Sequence, residues 1–120
     1  MPLVPVVIHY KGRLSPKVEL MADSGAEHCT VNSGIGQLVG IDIRAGVHAQ
    51  LRGIEPKPVD AWFHDIEMDV DGRRFKVWCA FADLGVPGLL GREGFFNRFT
   101  ITFDQRNEHL VLKYKDADLL

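Results

Sequence analysis

Apolar residues in this chain fall in short runs, several alternating with polar ones, and the runs are closed by Gly, Pro, Asn, Asp or Ser. That is the period-two pattern of half-buried strands, not the period of about 3.6 residues of an amphipathic helix. Residues 4–10 are β-rich and flanked by proline, which predicts an edge-type strand. After the turn Lys11-Gly12-Arg13, residues 17–22 alternate so that Val18, Leu20 and Ala22 share one face. The turn Asp23-Ser24-Gly25-Ala26 follows, and Cys29-Thr30-Val31 resumes an extended run. Asn32 or Ser33 suits the start of a short helix reaching about Val39, with Gly40 as its stop, although Gly34 and Gly36 weaken it.

Residues 46–51 and 59–70 predict two strands of a long hairpin with an irregular tip, Arg52-Gly53-Ile54-Glu55-Pro56-Lys57-Pro58. A second hairpin turns at Asp71-Gly72, a dipeptide suited to a type I′ turn between residues 66–70 and 75–79. Asp69-Val70-Asp71-Gly72 also hints at a calcium loop, but no bidentate Glu follows at the required distance. Leu89 and Leu90 predict a short buried strand. Residues 92–98 predict a short helix, with Phe95, Phe96 and Phe99 facing the core. Residues 100–103 and 109–112 predict a last strand pair around Gln105-Arg106-Asn107. Many short strands and frequent turns argue an all-β fold with one or two short helices.

Composition narrows the function classes. The 120 residues fit one domain with one core, so residues 1–120 are expected to form a single domain. With 46% hydrophobic and 25% charged residues, the chain reads as an ordinary globular protein. A net charge of −2 without a basic run gives nucleic-acid binding no electrostatic support. No apolar stretch approaches the roughly 18 residues of a membrane span, and the N-terminus lacks the features of a signal peptide. A cytoplasmic protein with no membrane partner is the expectation. Cys29 and Cys79 are then free thiols. Neither has a partner at metal-ligand spacing and the five histidines are scattered, so no metal and no cofactor is expected.

The chemistry centres on Asp23. An apolar strand delivers one carboxylate into a Ser-Gly turn. Ionising an acid at the end of a buried strand is expensive unless the site uses it. Taken alone, Asp23-Ser24-Gly25 also suits an ordinary strand-ending turn. The second informative stretch lies far downstream, Gly88-Leu89-Leu90-Gly91-Arg92-Glu93.

The two stretches in this order, with a hairpin-rich middle, resemble the single-domain retropepsin-like aspartic proteases, bacterial-type relatives of the retroviral proteases. The segment 94–104 is similar to the C-terminal part of bacterial members. The resemblance covers about residues 4–112. It implies a closed β-barrel or sandwich with a flap hairpin, and an aspartic endopeptidase. Two carboxylates hold the attacking water: one accepts its proton while the other, protonated, donates to the carbonyl oxygen or leaving amine. Carboxylates about 3 Å apart share one proton and titrate as a pair. Only Asp23 is followed by Ser-Gly, so the second acid must come from another copy of the chain, in a two-fold homodimer.

By position, the resemblance makes Asp23 catalytic. Ser24, Gly25, Ala26, Glu27, Leu89, Leu90, Gly91 and Arg92 become its supporting residues, with the Ser24 hydroxyl crossing the dimer axis and Arg92 near Glu27. Leu51, Gly53, Ile54, Leu84, Val86 and Pro87 become walls for a peptide or protein substrate. Residues 1–7 and 111–120 are expected to interleave with those of the partner. The tip departs from the Gly-rich retroviral flap: it holds one glycine, Gly53, and the prolines Pro56 and Pro58. A non-catalytic dimerisation or peptide-binding module of the same fold is the alternative. His28 and Cys29 read as an ordinary polar residue and a core thiol.

Overall fold

The computed structural model describes residues 2–107 and 109–115. Its first strand, β1 (Leu3–Tyr10), buries Val4, Val6 and Ile8 on one face. β2 (Arg13–Leu14) turns back on it, and β3 (Val18–Ala22) pairs antiparallel with its first half. β4 (Thr30–Asn32) leads into α1 (Ser33–Leu38), whose first turn is capped by the Asn32 side chain accepting from the Gly34 amide. Gly40 closes the helix with a φ of +85°, a conformation that favours glycine. The expected helix therefore forms where its caps lie.

β5 (Val47–Leu51) and β6 (Val59–Val70) make the long hairpin, in register from Val47 opposite Phe63 to Leu51 opposite Val59. β6 and β7 (Arg73–Ala82) make the second, turning at Asp71 and Gly72 with φ of +52° and +77°, as a type I′ turn requires. β7 runs beyond the predicted end at residue 79, because Ala80, Phe81 and Ala82 are buried and pair with β4. β8 (Gly88–Leu90) is buried throughout and lies between β3, parallel, and β4, antiparallel. β9 (Phe99–Asp104) and β10 (His109–Tyr114) form a separate two-stranded sheet.

Six strands close on themselves in the order β1-β3-β8-β4-β7-β6, because β6 pairs back onto β1 from Val7 to His9. The result is an all-β closed barrel with little helix: the strand pattern predicts the all-β class, and of the barrel or sandwich that the resemblance implies the chain forms the barrel. Closure removes the exposed edges that an open sheet would present. It also overturns the expectation that residues 4–10 form an edge strand, since β1 has partners on both sides. Pro5 is accommodated because β6 reaches β1 only from Val7 onward, so this half of the strand is paired on one side.

The predicted helix at residues 92–98 does not form. Gly94 adopts a φ of +100°, and Glu93 is drawn into a bridge with His28, so the segment is a series of turns. Its aromatic residues still face inward: Phe95 and Phe99 are fully buried in the main core and Phe96 packs against it. A second, small core of Ala61, Phe63, Ala80 and Ala82 lies under the long hairpin, joined by Leu51, Val59 and Leu84. It packs beneath the strands of that hairpin. Among the described residues no helix is long and apolar enough to cross a membrane. The expectation for the chain ends falls partly on Met1 and residues 116–120, which lie outside the described residues.

Candidate active site

The Asp23 turn is built from its own short-range bonds. The Asp23 amide donates to the Leu90 carbonyl at 2.9 Å, so the end of β3 is fixed against β8. Asp23 Oδ1 then accepts the Gly25 amide at 2.9 Å, and its carbonyl accepts the Ala26 amide at 3.1 Å. This Asx-type turn orients the carboxylate. A methyl group on Gly25 would stand 3.2 Å from Asp23 Oδ1, a close approach that glycine avoids.

The downstream stretch is joined to the turn by main-chain bonds. Arg92 and Glu93 donate their amides to the carbonyls of Ala26 and Glu27, at 2.9 and 2.8 Å. Gly91 lies beneath, where a Cβ would meet the His28 carbonyl oxygen at 2.5 Å and that of Ala26 at 2.8 Å. Only glycine fits between these fixed backbone atoms. The two motifs that the sequence pairs are thus in contact, residue against residue.

Arg92 and Glu27 line the same cavity, as expected, but the Arg92 side chain bonds elsewhere. Its Nη1 donates to the Ser24 carbonyl at 3.0 Å, and among the described residues no ion pair joins it to Glu27. The backbone pairing explains this: Glu27 is aligned with Glu93, and its carboxylate lies 3.9 Å from His28 Nε2 instead. Ser24 is exposed at the tip of the turn.

A cavity of about 470 Å³ opens above Asp23. Gly25, Ala26, Glu27, Leu89 and Arg92 line it, and the hairpin tip adds Leu51, Gly53 and Ile54, all expected. Leu84, Val86 and Pro87 do not line it. Asn32 holds their loop elsewhere, its Nδ2 donating to the carbonyls of Leu84 (2.8 Å) and Val86 (3.3 Å) and its amide to that of Pro87 (2.8 Å). Sequence reasoning missed His28, Thr30, Gln50 and Arg52 as lining residues. Alternation from Asp23's turn into β4 could have pointed to His28 and Thr30; the position of Arg52 between Leu51 and Gly53 could have pointed to the tip. Pro56 and Pro58, which set this tip apart from a Gly-rich flap, are exposed and stand outside the cavity.

Neither thiol lines the cavity. Burial pushes the Cys29 thiol up to about 11, and Cys79 is also raised, by burial and by its neighbour Cys29. Both cysteines are free and buried, as expected. A larger cavity of about 720 Å³ lies between β1 and β10 and holds none of the candidate catalytic residues.

No family model matches the chain, and no curated protein sequence matches it. Among solved structures it is similar to one described as EIAV protease complexed with the inhibitor HBY-793, with a TM-score of 0.55 and 22% sequence identity over 76% of this chain and 81% of that one. The chain therefore shares the retropepsin-like fold of that protease.

Proposed function

We propose that the protein is a homodimeric aspartic endopeptidase in which Asp23 and its mate from a second copy activate one water. The observation that carries this reading is the half-buried Asp23 in a cavity that the hairpin tip also lines. One chain supplies one such acid. The reaction needs a base and an acid in one site, and two facing Asp23 side chains sharing a proton provide both. Ser24 supports the dimer, since its exposed position at the tip of the turn suits a hydroxyl that reaches a partner. The Asp23–Gly25 bond and the Arg92–Ser24 bond hold each carboxylate in place before substrate arrives, which lowers the cost of reaching the transition state. Leu51, Ile54 and Leu89 offer apolar contacts to side chains flanking the scissile bond.

The test is cleavage of a denatured-protein mixture across acidic and neutral pH by the wild type and by Asp23→Asn. The expected result is a bell-shaped, mildly acidic profile for the wild type and no turnover for the variant, with the melting temperature of the variant retained. Equal cleavage by both proteins would end the reading.

A further inference from the structure

One charged group in the cavity is left over. Arg52, an exposed residue of the hairpin tip, lines the same cavity as Asp23. The other charged side chains there have closer neighbours: Arg92 is bonded to the Ser24 carbonyl, Asp23 Oδ1 accepts from the Gly25 amide, and the exposed Glu27 carboxylate lies 3.9 Å from His28 Nε2. The hairpin's own acids are also engaged. Asp60 Oδ1 lies 2.9 Å from His48 Nε2, and Glu55 Oε1 accepts the Gly85 amide at 3.4 Å. Arg52 has no ion-pair or hydrogen-bond partner among the described residues, although it lines the cavity that holds the candidate catalytic acid.

We infer that Arg52 selects substrates carrying an acidic side chain close to the scissile bond. The inference rests on the endopeptidase reading and adds a substrate class to it. A guanidinium presents a fork of N–H donors that matches a carboxylate with two parallel bonds. A peptide threaded between floor and tip covers Arg52 and removes it from water, which strengthens that pairing relative to an exposed one. The position also dictates where the acid sits. A substrate carboxylate next to Asp23 meets like charge, whereas one displaced toward the tip meets Arg52. The apolar lining from Leu51, Ile54 and Leu89 then takes the side chains nearer the bond. The preferred substrate is an apolar pair flanked, a residue or two away, by Asp or Glu.

The experiment uses acetylated, amidated peptides with an apolar central pair and Glu placed in turn at each flanking position, each with a Gln counterpart. Blocked termini exclude a chain-end carboxylate as the source of any effect. At one or more positions the wild type should favour Glu over Gln by about tenfold in kcat/KM, the size expected of one charge-assisted contact in a partly covered site. That ratio should fall to near one in Arg52→Gln and reverse toward Lys-containing peptides in Arg52→Glu, with melting temperatures confirming both variants are folded. A wild type that cleaves the Gln peptides with a Glu/Gln ratio near one everywhere overturns the inference and leaves the endopeptidase reading standing. If no peptide is cleaved, that reading fails, and calorimetric binding of the same pairs with a reduced, uncleavable central bond decides. A Glu preference lost in Arg52→Gln supports the carboxylate contact; absence of binding or of preference overturns it.

Discussion

Arg92 Nη1 donates to the Ser24 carbonyl at 3.0 Å while the Arg92 amide donates to the Ala26 carbonyl at 2.9 Å, so one residue clamps both sides of the Asp23 turn. The side chain is exposed, and a single such bond contributes only about 1 kcal/mol to stability. Arg92→Ala should then melt close to the wild type. Its effect belongs on the chemistry, because a loosened turn misplaces the carboxylate: kcat should drop at least several-fold with KM little changed. A variant several degrees less stable, or one with unchanged kcat, would show that the clamp does something else.

Gly91 and Gly25 predict opposite outcomes for the same substitution. A methyl at Gly91 runs into backbone oxygens of His28 and Ala26 that main-chain bonds hold in place. Gly91→Ala should cost about 1–3 kcal/mol, and more if the strand cannot shift. At Gly25 the added methyl meets the Asp23 carboxylate, a side chain that is able to move. Gly25→Ala should keep its melting temperature within a few degrees yet lose most of its activity. Thermal melts and turnover measured on both proteins check the pair.

Cys29 gives a prediction with a definite pH sense. Its thiol is pushed from 9.0 to about 11, chiefly by burial, so the folded state favours the neutral thiol. A raised folded-state value leaves stability intact below the unfolded value and removes it as pH rises from about 9 toward 11. Cys79, raised for the same main reason, acts in the same direction. Denaturation midpoints should therefore fall across that window, and less so in Cys29→Ala. The folded protein should also react slowly with a thiol reagent near pH 8, close to the ordinary cysteine pKa of about 8.5. Rapid labelling, or loss of cleavage in Cys29→Ala, would return the thiol to consideration as a nucleophile.

The strands were legible because period-two alternation and the Asp71-Gly72 turn are local signals, and β3, β6 and the second hairpin follow them closely. The contact between the Asp23 turn and residues 89–92 was legible through the resemblance, since nothing local to either stretch names the other. What was hidden is long-range. The closure of β6 onto β1 made an interior strand of a segment whose prolines suggest an edge. Glu93 bridging to His28, with Gly94 in a left-handed conformation, replaced a plausible helix by turns. Asn32 drew residues 84–87 away from the cavity through three carbonyls, which no pattern in those residues announces. Arg52 escaped notice because one polar residue in an irregular tip has no periodicity to read.

The long hairpin carries a cross-strand pair, Asp60 with His48, 2.9 Å apart. Asp60 is held below the usual carboxylate range, first by its hydrogen bond with His48 and then by Gln50. A depressed folded-state value means that the contribution is present above the unfolded value of about 3.9 and disappears as pH falls through the lower folded one. The His48 ring lies 5.2 Å from Trp62, so Trp62 reports on the pair. In a Trp78→Phe background, Trp62 emission should change below about pH 4. Asp60→Asn should abolish that change; an identical titration in the variant would uncouple Asp60 from the hairpin.

Assembly is the most demanding test of the shared site. Among the residues lining the cavity, the acid other than Asp23 is Glu27, whose side chain is 70% exposed and 3.9 Å from His28, a poor mate for a carboxylate that must share a proton. If the mate is Asp23 of a second copy, specific activity should fall on dilution past the dimer dissociation constant, and the rate should become second order in protein. Mixing experiments sharpen this. Wild-type chains exchanged with excess Asp23→Asn chains form heterodimers with one carboxylate and one amide, so activity should decline in proportion to the heterodimer formed. Subunit exchange is verified separately, by energy transfer between differently labelled chains. A wild-type rate untouched by excess variant after exchange is complete would place the second acid within the chain. Glu27→Gln would then be the variant to measure, because a half-site completed by Glu27 loses turnover on that change, whereas a site shared between two Asp23 residues does not.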